Sequence, residues 1–204
     1  MGKVAWGFTC SIDGFIAGPD HDMSWLSTAE DIDSDITVRL AEAVGAILSG
    51  RRGYDAALAQ RGVRDDLTSE AYGGAWTGIE FVLTHRPEEL ANDPRVITPG
   101  SPGPGLVPLT CDIAEAIRIG KQAAGEKDLQ IISADLARQA LELDLIDELQ
   151  VFVAPVFLGD GVRIFDVPGG RRYEWELVDI YPGAERSFGR TYRPKHAQSP
   201  APAD

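Results

Sequence analysis

The chain has 204 residues, 44% of them hydrophobic, and 19 Lys and Arg stand against 32 Asp and Glu for a net charge of −13. That length supports one substantial core and hence one domain, while the negative charge repels nucleic-acid phosphates and anionic membranes and points to a small-molecule ligand. Cys10 and Cys111 are too few for a disulfide framework or metal knuckle, no run approaches about 18 apolar residues, and M-G-K-V-A-W lacks a signal-peptide core, so the expected location is a reducing cytoplasm.

Lys3 to Thr9 is short, apolar and β-prone and breaks at S-I-D-G, which predicts a strand and a turn. Gly18 to Ser27 is too polar and punctuated for regular structure, yet it carries Met23, Trp25 and Leu26, as either a flap over a pocket or a loop pinned to the core. Ile32, Ile36, Leu40 and Val44 recur every four residues, so Glu30 to Val44 reads as an amphipathic helix. A strand is expected over Ala46 to Ser49, and a helix over Arg51 to Arg61 with Tyr54, Ala57 and Leu58 on its inner face. Residues 62–76 read as a surface loop. Next come a strand from Ile79 to Thr84, a helical turn after Pro87 and a strand around Val96.

Thr98 to Pro108 holds four prolines and three glycines and reads as loop. It is not a domain linker, because neither flank makes a complete fold. Ile113, Ala116, Ile117 and Ala124 outline a helix ending at Gly125. From Ile131 a strand end passes into a helix, and a second strand ends in Gly159-Asp160-Gly161. The β-rich runs Glu148 to Val156, Tyr173 to Ile180 and Arg186 to Arg193 close the chain, with residues 194–204 expected to be a disordered tail. Strands alternating with helices and then following one another imply an α/β fold with a mixed sheet, parallel at its centre and antiparallel at one edge.

Two places combine a strand end, a helix start and fixed positive charge. Ser49-Gly50-Arg51-Arg52 offers free backbone N–H groups and two guanidinium groups to an anion, or simply a turn followed by solvated arginines. Leu83-Thr84-His85-Arg86-Pro87 repeats the arrangement with a hydroxyl and an imidazole. Asp13 either contacts a substrate hydroxyl or amine, or caps its own turn. Asp31, Asp33, Asp35 and Glu42 fall at calcium-loop spacing, but the position needing Gly is Ile36, so no metal site is expected. His21, His85 and His196 show no metal spacing.

Ser11 to Asp20, S-I-D-G-F-I-A-G-P-D, is similar to the S-L-D-G-F-I-A-G-P-D of RibD-like reductases. A-D-L-A-R-Q-A-L through F-L-G-D-G-V-R-I-F-D resembles the C-terminal signature of the dihydrofolate reductase-like superfamily, specifically the RibD C-terminal reductases. The resemblance covers residues 3–193 and implies one three-layer α/β/α domain over 1–193. By that resemblance the cofactor is NADPH, with Gly50, Arg51, Arg52, Thr84, His85 and Arg86 gripping its 2′-phosphate and pyrophosphate. The helix entrance Ile132, Ser133, Ala134, Asp135 and Leu136 is the other expected cofactor contact. Asp13, Trp25 and Tyr54 are expected at the substrate. Dihydrofolate reductases place one acid at the start of the helix after a Trp-bearing loop, so the proton-donor candidates are Glu30 and Asp31, with Asp13 a third. Two departures bear on the cofactor: Gly53 replaces a common Thr, and Ile132-Ser133-Ala134 replaces Gly-Gly-Ala.

The implied reaction is hydride transfer to a small heterocycle, either a phosphoribosylamino-pyrimidine of riboflavin synthesis or, as the alternative, a pterin. A deaminase domain, often fused upstream in riboflavin enzymes, is not expected in this chain. A noncatalytic NADP(H)-binding or sensor protein is the rival from another class. Leu149, Val151 and Val153 alternate as a strand able to pair across an interface, which suggests a homodimer.

Overall fold

The computed structural model describes residues 2–29, 34–59, 76–101, 103–181 and 188–195. Eight strands make the main sheet: β1 (Val4–Cys10), β3 (Val44–Gly50), β4 (Ile79–Leu83), β5 (Gly105–Leu109), β6 (Asp128–Ile131), β7 (Glu148–Val153), β9 (Trp175–Tyr181) and β10 (Phe188–Pro194). Their order is β5-β4-β3-β6-β1-β7-β10-β9, with β2 (Phe15–Ala17) and β8 (Val162–Arg163) forming a separate ribbon. From β5 to β7 every pairing is parallel, and β10 pairs antiparallel with β7 and β9.

Side chains alternate across each strand, and each face meets its own helices. Trp6, Leu48, Phe81, Val107, Leu129 and Ile131 point to α3 (Ile113–Ala124) and α4 (Ala134–Glu142), where Ile113, Ile117, Leu136 and Ala140 complete the largest core. On the other face, Ile47 packs with Ala41 of α1 (Ser34–Ala43) and with Trp76, and Val82 and Leu106 pack with Tyr54 of α2 (Arg51–Ala59). The result is the expected three-layer α/β/α arrangement. The α3 helix starts on Asp112, whose carboxylate accepts from Glu115 N at 2.9 Å, and stops at Gly125 with φ of 66°.

Several local expectations change. The prolines of 98–108 suggested loop, yet Gly105–Leu109 is β5. Pro108 is tolerated there because β5 is an edge strand, paired in the main sheet with β4 alone and short of one donor at no loss to a central ladder. Val96 makes only an isolated bridge to Leu106 instead of a strand. The loop of 18–27 contains 3-10 turns at Pro19–His21 and Ser24–Ala29. Trp76, expected in a surface loop, is buried and donates from Nε1 to the Val44 carbonyl at 3.0 Å. Helices expected from Glu30 and to Arg61 are described as Ser34–Ala43 and Arg51–Ala59, and residues 30–33, 60–75 and 196–204 lie outside the described residues. Pro194, assigned to the tail, closes β10.

If burial rather than β-propensity decides stability, fully buried Leu129 and half-exposed Leu177 respond differently. Leu129→Ala is expected to cost about 2–5 kcal/mol in urea unfolding and Leu177→Ala no more than about 0.5 kcal/mol.

Candidate functional site

Because six neighbouring strands run parallel, their carboxyl ends and the loops that follow gather on one edge, the usual ligand edge of an open α/β sheet. At its centre, the ends of β3 and β6 touch. Ile132 N donates to the Leu48 carbonyl at 3.1 Å, and a Cβ on Gly50 would lie 2.8 Å from Ser133 Oγ. The first turns of α2 and α4 therefore stand side by side, and their unpaired N–H groups and aligned dipoles favour an anion between them. Ser133 is the N-cap of α4, its hydroxyl accepting from Leu136 N at 3.4 Å, and Asp135 is tied to Arg138 and Gln139. Ile132 is 42% exposed at this step, and Leu136 is buried in the core below Ala134.

The cations of the edge differ in how free they are. Arg51 is held by Asp55 and Glu89, each at 2.8 Å, and its guanidinium lies 5.9 Å from the Tyr54 ring centre. Glu89 also takes Arg86 at 2.8 Å, so one carboxylate from the turn after β4 bridges both strand ends. Thr84 is buried, and its hydroxyl accepts from Arg86 N at 3.0 Å, fixing the turn. Arg52 and His85 are exposed and make no ion pair with a described residue. Among the described residues the site thus holds two exposed groups without an ion pair and two arginines shared with Glu89.

On the other side of the edge, Asp13 joins two loops. Its carboxylate accepts from the Ser11 hydroxyl at 2.6 Å, Gly159 N at 2.7 Å and Leu158 N at 3.1 Å. Ile12 N donates to the Val156 carbonyl, Ile164 N to the Gly14 carbonyl, and β2 pairs with β8. Gly161, at φ of 131°, lies so close to the Ala17 carbonyl that a Cβ would sit 2.0 Å from it. The motifs S-I-D-G-F-I-A and L-G-D-G-V-R are thus two halves of one structure. The Ser11 hydroxyl and the two N–H groups hold the Asp13 carboxyl at about 2, so it is ionised at neutral pH and carries no proton to donate.

Tyr54, expected at the substrate, is instead buried under α2 against Val82, Leu90 and Leu106, with its hydroxyl donating to Asp93 at 2.6 Å. The helix periodicity that turned it inward also removed it from the cleft. Its partner Asp93 is chelated by Arg95, whose guanidinium holds the carboxyl well below the ordinary range. Beside this cluster Glu80 is buried, taking the Ser49 hydroxyl at 2.6 Å, and burial pushes its carboxyl upward. Trp25 is 8% exposed and packs with Leu26, Ala154, Val156 and Leu158, so its loop is pinned at the end of β7. Glu30 and Asp31 lie outside the described residues.

A cavity of about 430 Å³ lies at the opposite edge of the sheet, lined by Lys3, Lys121, Asp147, Glu148, Val178 and Arg193. Lys3 is paired with Glu148 at 2.5 Å and Arg193 with Glu176, which leaves that cavity remote from the strand-end groups and largely self-neutralised. Cys10 is buried, its thiol pushed up to about 11, and Cys111 is also free. No described helix is long and apolar enough to cross a membrane.

The Asp13 tie has a pH signature. Its folded value lies below the ordinary 3.8, so its stabilisation is present above that value and is lost as pH falls through 3.8 toward about 2. Melting temperatures of the native protein and Asp13→Asn should differ at pH 6, with the native protein higher, and converge as pH approaches 2.

Solved structures share this fold. A protein of Shewanella sp. PV-4 provisionally assigned to riboflavin biosynthesis matches with a TM-score of 0.69 and 20% identity over 95% of this chain and 99% of that one. A pyrimidine reductase-like protein of Corynebacterium diphtheriae matches at 0.61 and 12%, over 96% and 93%. Dihydrofolate reductase of Enterococcus faecalis, complexed with NADP(H), matches at 0.57 and 13%, over 96% and 98%. No curated protein matches the sequence. The family profile described as the RibD C-terminal domain matches residues 2–187, and the chain, with its two interlocked motifs at the carboxyl edge of the sheet, belongs to the RibD C-terminal domain family.

Proposed function

We propose that the protein is an NADPH-dependent reductase that transfers hydride to a small heterocycle, a ribosylamino-pyrimidine of the riboflavin pathway being the first candidate and a pterin the second. The observation that carries this reading is the contact between Gly50 and Ser133, which sets the first turns of α2 and α4 together beside exposed Arg52 and His85. Two helix dipoles and fixed cations on one edge of a chain with net charge −13 suit a polyphosphate ligand held against the trend of the whole surface.

The residues present fit such a cofactor. Gly50 keeps the backbone bare at the strand end, and the N–H groups of the two helix starts face the space a pyrophosphate needs. Ile132 closes part of that space where the family commonly has Gly, which makes the cradle shallower rather than absent. Arg52, His85 and Arg86 would meet the 2′-phosphate, Arg86 exchanging Glu89 for it. Bound NADPH would supply the hydride. The chain's own part is to orient, exclude water and hold charge. Asp13 holds the two loops that wall the substrate side, and the pinned Trp25 shields its floor. With Asp13 ionised, a substrate proton comes from solvent or from the acids at 30–31. A cytoplasmic location and a homodimer, joined through the apolar face of β7, β10 and β9, belong to the same reading.

A sensor lacking turnover would keep NADPH binding, so binding is tested first. A ligand at one hundred times its Kd stabilises the folded state by about 2.7 kcal/mol. NADPH should raise the melting temperature by several degrees, and NADH by less. Arg52→Ala should weaken NADPH by about tenfold and leave NADH unchanged, a charge-assisted contact to phosphate being lost. Equal shifts with the two cofactors in the native protein would remove the 2′-phosphate assignment, and no shift with either would remove the reductase reading.

A further inference from the structure

The α1 and α2 side of the sheet carries a polar floor where a core would be expected. Gly7 and Thr9 lie on β1, the strand hydrogen-bonded to β6 on one side and β7 on the other, yet both are partly exposed on this face. Gln130 of β6 alternates with Leu129 and Ile131, which belong to the α3 and α4 core, so its carboxamide points the other way, toward the space over Gly7. A Cβ at Gly7 would lie 1.9 Å from Gln130 Nε2 and 3.4 Å from Gln150 Oε1. Two carboxamides from the flanking strands therefore converge over a residue without a side chain.

The hydrogen bonding of this pair is incomplete in one direction. Gln150 Nε2 donates to Glu148 Oε1 at 2.9 Å, and Glu148 in turn is fixed by Lys3, which leaves Gln150 Oε1 turned to Gly7 as an acceptor. Gln130 is 2% exposed, its Nε2 is the atom over Gly7, and its buried Oε1 finds no hydrogen-bond partner among the described residues. A buried carbonyl oxygen without a partner is unfavourable, and a half-turn of the carboxamide about its last bond exchanges Oε1 for Nε2 over Gly7, where a donor from outside satisfies it. A carboxamide offers one acceptor beside one donor, and its complement is a ring lactam, N–H next to C=O. Gln130 lies two residues before Ile132, roughly 7 Å along the strand, which is about one ring away from the helix starts at the phosphate edge.

We propose that Gln130, given room by Gly7 and seconded by Gln150, reads the lactam edge of a planar heterocyclic substrate. This rests on the reductase reading and adds the feature by which the substrate is chosen: pyrimidinediones and pterins carry the edge, and aliphatic carbonyl compounds or fully N-alkylated rings do not.

Binding of 5,6-diaminouracil and of 5,6-diamino-1,3-dimethyluracil, measured by calorimetry on the full chain with and without NADPH, tests it. The native protein should prefer the unmethylated compound by about tenfold, the size of one well-placed hydrogen bond. Gln130→Leu should abolish the preference while keeping or raising the melting temperature, since it removes a buried unsatisfied group. Should that variant not fold, Gly7→Ala, which forces the carboxamide aside, must reduce the preference. An undiminished preference in a folded Gln130→Leu or in Gly7→Ala, or no preference in the native protein, overturns the proposal. Loss of NADPH stabilisation with the lactam preference intact would instead count against the reductase reading alone.

Discussion

The arrangement depends above all on the single carboxylate of Asp13. It is the common acceptor of a hydroxyl two residues back and of two amides about 145 residues ahead. Without an acceptor there, the turn at 158–159 would leave N–H groups unpaired next to a strand end. Around it the remaining contacts fall into place: β2 against β8, Gly161 against Ala17, and Trp25 against Val156 and Leu158. The Asp13 side of the edge is thus a braced wall. Asp13 serves this edge by position, and its ionised state is a by-product of how many donors it holds.

The side of the edge formed by α2 and α4 is governed by a different balance. Backbone dipoles from α2 and α4 favour an anion, but Glu89 already occupies the cations nearest to them. In a chain this acidic, three arginines and a histidine gather on one edge, and the Glu89 carboxylate neutralises part of that charge from within. Arg51 belongs to the framework, buttressing α2 through Asp55 and Tyr54, whereas Arg52 makes no ion pair with a described residue.

What could be read from the residues alone tracks the range of the interactions. The strand-turn-helix units at Ser49–Arg52 and Leu83–Pro87 were legible because Gly, Arg and the periodicity that follows are all local. The layering was legible too, since alternation and helix spacing report on which face is buried. Asp13 was left between two roles because its partners, Leu158 and Gly159, are nowhere near it in the chain. The prolines around residue 104 outvoted the apolar Leu106, Val107 and Leu109, and only knowledge that this strand lies at an edge makes Pro108 admissible. Tyr54 was placed inward and at the substrate at once, and packing against Val82 and Leu106 decides for the first. Gln130 carried a signal that went unread: a lone amide inside the apolar run L-Q-I-I, matched by a glycine inside V-A-W-G-F.

The position of β1 has a consequence for how the molecule comes into being. It is the first strand of the chain, yet its neighbours are β6 and β7, so its two rows of backbone groups wait for residues 128–153. During synthesis this apolar segment leaves the ribosome with no partner until most of the chain has followed, a period in which it is the natural target of a chaperone or of another unfinished copy. Closing loops this long before any central pairing is gained also places the protein among slow folders for its size.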